Sequence, residues 1–134
     1  MRTRFRITLT LALLTTLALP TWAMTEAQAA NNLMYLTGAR NEALFCQQFG
    51  GKAMEALITW ETKNKETFEK STKTIEDFAV KSKKVSKEEA KVVPIGLMAR
   101  LQQRDDSELA PKRTRVTCSK YAESLTLYEA KLAR

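Results

Sequence analysis

The sequence predicts an all-α protein, a small up-down bundle of about four helices with one disulfide. Three observations predict it. Strand-type alternation is absent, while Ala, Leu, Glu, Lys, Met and Gln are abundant. Apolar residues recur at helical spacing in stretches separated by Gly, Pro and capping signals. Cys46 and Cys118, the only two cysteines, fall near the end of the first stretch and the start of the last. In an up-down-up-down bundle those two places are neighbours.

The N-terminus carries a targeting signal. Arg2, Arg4 and Arg6 make a basic start without acids, Ile7–Leu19 is mainly apolar, and Pro20 ends the run. Thr21-Trp22-Ala23 then supplies small residues at the −3 and −1 positions. This is the pattern of a cleaved secretory signal peptide. The apolar run falls short of the ~20 residues that span a bilayer. Ala27-Gln28-Ala29 offers a second site further from the run, so cleavage is expected after Ala23, leaving 24–134 as a single helical domain. The expected location is periplasmic or secreted. Cleavage removes three of the 22 basic residues and none of the 15 acids, so the charge falls from +7 to +4. That mild excess does not mark a nucleic-acid protein.

In an oxidising compartment Cys46 and Cys118 are expected to pair, and with two cysteines the connectivity is unique. The bridge closes a loop of about 72 residues, for which chain entropy gives about 4 kcal/mol.

The first helix is expected from about Thr25 or Asn31 to Phe49. Leu36, Ala39, Ala43 and Cys46 share a face, which Leu33, Phe45 and Phe49 widen. Gly38 weakens the helix, and Gly50-Gly51 stops it. The second spans about Lys52–Lys84, near 50 Å at ~1.5 Å per residue, with a break expected near Thr62–Asn64 if it is not continuous. Its first part is broadly apolar (Ala53, Met54, Leu57, Ile58, Trp60), and its second narrows to Phe68, Ile75, Phe78 and Ala79. Glu61–Lys65, Glu66–Lys70 and Glu69–Lys73 are spaced for i,i+4 ion pairs on the solvent side.

Ser86-Lys87-Glu88-Glu89 has the form of a capping box and starts a third helix. Pro94 divides it into pieces of about 87–92 and 94–103. Val92–Met98 is apolar on every side and is expected to be buried. Asp105–Ala110 reads as a turn. The fourth helix runs from about Pro111 or Thr114 to Ala133, with Cys118, Tyr121, Ala122, Leu125, Tyr128 and Leu132 on one face.

No catalytic constellation emerges. The chain has no histidine, which removes the commonest general base and the commonest metal ligand. Glu76-Asp77 and Glu88-Glu89 are helix neighbours that point about 100° apart. The expectation is a non-enzymatic protein without cofactor or metal. Lys112, Arg113 and Arg115 cluster where the fourth helix begins and form a candidate anion site. Phe68, Ile75 and Phe78 form a candidate interaction stripe, which packs on its own chain by default and on a partner otherwise.

Phe45-Cys46-Gln47-Gln48-Phe49, Lys52-Ala53-Met54 and Trp60 resemble the segment around the first cysteine of small periplasmic acid-stress chaperones. Cys118 would match that family's second cysteine. The cysteine spacing here is longer, and the middle of the chain has no counterpart. The resemblance implies apolar faces uncovered by acid and unfolded clients held on them. From the residues themselves, the expected function is an exported helical binding protein of the cell envelope. It would hold a protein partner on an apolar helix face with a Lys/Glu rim. A holdase chaperone and an inhibitor or immunity protein against an envelope enzyme are the alternatives. Neither nucleic-acid binding nor stable membrane insertion is expected.

Overall fold

Helix boundaries follow local chemistry. The computed structural model describes residues 23–134, so the expected signal peptide, apart from Ala23, lies outside the described residues. Helix α1 (Glu26–Cys46) opens on a capping box: Thr25 Oγ1 accepts from Gln28 N–H, and Gln28 Oε1 accepts from Thr25 N–H. A 3-10 turn (Gln47–Phe49) follows, and Gly50 and Gly51, with φ of 72° and 98°, turn the chain back. Helices α2 (Ala53–Lys63) and α3 (Lys65–Lys83) meet at Asn64, inside the expected break. Thr59, Thr62 and Asn64 each donate a side-chain hydrogen bond to the carbonyl four residues back, which loosens the helix there.

Helix α4 (Lys87–Ala90) starts with the Ser86–Glu89 capping box, and α5 (Val93–Glu108) carries Pro94 in its first turn. A 3-10 turn (Ala110–Lys112) leads to α6 (Arg115–Ser119), capped by Thr114, and α7 (Tyr121–Lys131). The α6–α7 break at Lys120 follows Thr117, Cys118 and Ser119, weak helix formers, two of whose hydroxyls bind carbonyls three back.

The all-α class and the disulfide stand. The helix count exceeds four because the second, third and fourth expected helices are each divided. Their directions still alternate, since residue pairs run oppositely for α1 with α2 and α3 (Arg40–Glu61, Asn32–Ser71) and for α1 with the stretch from α6 to the residues just after α7 (Cys46–Cys118, Asn32–Ala133). Helix α1 is the hub. It packs against α2, α3, α5, α6 and α7, so its buried residues lie around most of its circumference. Ala29, Ala39 and Ala43 let the surrounding helices approach closely.

Four expectations are corrected. Val92 and Ile95 are exposed (61% and 67%), because α5 turns only part of its first two turns inward and Pro94 alone is buried there. Helix α5 runs through the expected turn to Glu108, burying Asp105. Phe49 is exposed rather than part of the core face of α1, because the 3-10 turn rotates it outward. Among the described residues, the expected Glu61–Lys65, Glu66–Lys70 and Glu69–Lys73 pairs do not form. Glu61 instead takes both Nε and Nη2 of Arg40 across the helix interface (2.6 and 3.1 Å), and Lys65 and Lys73 turn to Glu69 and Asp77.

Candidate functional site

A groove of about 450 Å³ lies between α1, α3 and α5. Leu33, Leu36, Phe68 and Met98 form its apolar floor. Arg40, Glu61, Lys65, Lys73 and Glu76 are among the charged residues that ring it. The antiparallel packing of α1 on α3 places the floor, and α5 brings Met98 to one side.

The candidate stripe maps next to this groove. Phe68 and Ile75 are buried and Phe78 is half-buried. Phe68 serves both the groove floor and the core, where it lies 5.3 Å from the Trp60 ring. Trp60 is buried, and its indole N–H has no hydrogen-bond partner among the described residues.

The candidate anion site is spread out. Arg113 turns inward and donates to Asp105 at 2.6 Å, Arg115 lies 6.0 Å over the Phe49 ring, and Lys112 faces solvent. At the start of α6 the Thr114 and Thr117 hydroxyls each accept the other residue's backbone N–H. The disulfide pairs Cys46 with Cys118 at a Cα separation of 5.4 Å.

Two buried polar clusters hold α1 in place. Near its start, Asn32 Nδ2 donates to Ser71 Oγ (2.9 Å) and to the Ala133 carbonyl (2.8 Å), while Oδ1 accepts from Ala133 N–H (2.9 Å). Ser71 Oγ donates to the Thr67 carbonyl and lies 3.4 Å from the Met24 sulfur. Towards its other end, Glu42 accepts from the Tyr128 hydroxyl (3.2 Å) and meets Ser124 Oγ at 3.5 Å. Asp105 accepts from Arg113 and Asn41, and the Tyr121 hydroxyl donates to the Ala39 carbonyl.

Burial pushes the Glu42 carboxyl above the usual range. Hydrogen bonds from Tyr128 and Ser124 and the Arg113 charge oppose that push, and the Asp105 charge adds to it. Burial, then the Glu42 charge, pushes the Tyr128 hydroxyl up to about 12 and raises Tyr121 as well, so both stay protonated donors.

Sequence reading missed Asn32, Glu42, Asp105 and the inward turn of Arg113. A lone Asn or Glu in a helix reads as solvent-facing, and only the packed fold brings these partners together. No known family model matches the chain, and no similar protein was found among curated proteins or solved structures. The class that fold and groove define is therefore structural: an all-helical protein, bridged by one disulfide, with an apolar-floored and charge-rimmed groove.

Proposed function

We propose that this chain is an exported, non-enzymatic binding protein that seats a helical segment of another protein in the α1–α3–α5 groove. The observation that carries this reading is the groove itself. An apolar floor between packed helices receives an amphipathic helix, and a rim of both charge signs fixes its register. Phe68 and Met98 are the natural anchors, because large side chains at the centre of a groove dominate such contacts.

Export is part of the reading. The disulfide fits an oxidising compartment, and no described helix is long and apolar enough to cross a membrane. Cleavage after Ala23 would leave Met24 buried against Ser71 and Thr25 capping α1. Cleavage after Ala29 would remove both, together with the fully buried Ala29.

The test is site-specific photo-crosslinking in cells of the envelope-exporting type. A photoreactive residue at Thr72, in the groove, is compared with one at the exposed Ala130 on α7. The expected result is a discrete adduct from Thr72 alone, lost when Met98→Arg blocks the floor. Equal labelling from both positions, or none from Thr72, would overturn the assignment.

A further inference from the structure

Helix α3 outruns α1. Ser71 pairs with Asn32, six residues inside α1, so in this antiparallel register the turns of α3 after about Asp77 pass beyond the start of α1, and α4 and α5 pack against α3. Ile75, Ala79 and Ala90 are buried at this end. Its outer surface is basic: residues 81–92 hold Lys81, Lys83, Lys84, Lys87 and Lys91 against Glu88 and Glu89, an excess of +3.

Both acids are already engaged. Glu88 binds Lys91, and Glu89 accepts the Ser86 backbone N–H. Among the described residues, Lys81, Lys83, Lys84 and Lys87 form no ion pair. Lys81, Lys87 and Lys91 line one shallow groove of about 310 Å³ with Glu76 and Asp77, and Asp77 is itself held by Lys73. Lys84 sits at φ 54°, a left-handed position where glycine carries least strain, so the turn holds an ammonium group at its tip.

Next to these cations are the exposed Val92 and Ile95, one helical turn apart and side by side. Ile95 also follows Lys91 by four residues, on the same side. We propose that this end of the molecule, the last turns of α3 with α4 and the start of α5, docks on an anionic lipid surface. The lysines meet headgroup phosphates, and Val92 and Ile95 enter the headgroup–acyl boundary. Residues 81–95 contain no aromatic residue and no arginine, which argues against a nucleic-acid platform built on stacking.

Vesicle flotation of the purified protein tests this, with phosphatidylglycerol/phosphatidylcholine and pure phosphatidylcholine vesicles at low and physiological salt. Binding to the anionic vesicles alone, weakening with salt, is expected. Each lysine neutralised should weaken partitioning roughly fivefold. The Lys81→Gln/Lys83→Gln/Lys84→Gln/Lys87→Gln variant should therefore fail to float, and Val92→Ser/Ile95→Ser should lose the part that survives salt. Lys81 and Lys83 also complement the negative end of α3, so thermal melts accompany each variant. Equal flotation with neutral vesicles, no flotation at low salt, or undiminished flotation of a folded quadruple variant would overturn the proposal. So would capture of a protein or nucleic acid through these lysines without vesicle binding.

Discussion

The two polar clusters along α1 do the same mechanical job with opposite chemistry. The Asn32 cluster is neutral and closed: its amide uses both donor hydrogens and its oxygen, and it fastens the extended C-terminal residues onto α1 and α3. The Glu42–Asp105–Arg113 cluster is charged and uneven: of two buried carboxylates, Asp105 is paired with the guanidinium, and Glu42 feels it only as a nearby charge. A satisfied neutral amide holds at any pH. A buried carboxylate without its own cation holds best when protonated. The disulfide lies beyond the charged cluster, at the end of α1.

The largest expected loss comes from removing that bridge. Cys46→Ala/Cys118→Ala frees a 72-residue separation in the unfolded chain, and chemical denaturation should show a loss of about 4 kcal/mol. Asp105→Asn comes next, because it leaves the largely buried Arg113 without its counter-charge. A loss of about 3 kcal/mol is expected by the same measurement. Asn32→Ala strands the Ala133 N–H and carbonyl, and should cost about 2 kcal/mol while raising hydrogen exchange at the C-terminus. Gly38→Ala should run the other way. A Cβ there meets nothing within 4 Å, and the helix gains about 0.5–1 kcal/mol, visible as a higher Tm.

Much of the fold was legible because its signals are local. The Ser86 capping box, the Gly50-Gly51 stop, Pro94 in a first turn and the break at Asn64 each act within a few residues of themselves. Cys46 and Cys118 had only each other. Thr25-x-x-Gln28 was equally local and would have fixed the start of α1. The break at Lys120 had no Gly or Pro to announce it, and comes from hydroxyl competition beside the bridged Cys118.

The rest depended on contacts far apart in sequence. Val92–Met98 reads as core on composition alone, yet Val92 and Ile95 are exposed, because only one side of α5 meets α1 and α3. Glu61 looked like a partner for Lys65 until Arg40 arrived from another helix. The groove was legible only as a general idea, an apolar face with a Lys/Glu rim. Its floor combines Leu33 and Leu36 with Phe68 and Met98 from three helices, a meeting that no single stretch encodes.

Paired unfolding curves from pH 4 to pH 8 test the contrast between the clusters most directly. The folded-state pKa of Glu42 lies above its ordinary 4.5, so the folded form holds the proton more tightly than the unfolded chain. Ionised Glu42 therefore destabilises the fold above its folded pKa, and that penalty disappears as pH falls below the ordinary value. Glu42→Gln should be more stable than the parent at pH 8, with the gap closing by pH 4, while the deficit of Asn32→Ala stays level throughout. A Glu42→Gln variant that is less stable than the parent at pH 8, or an Asn32→Ala deficit that follows pH, would contradict the account.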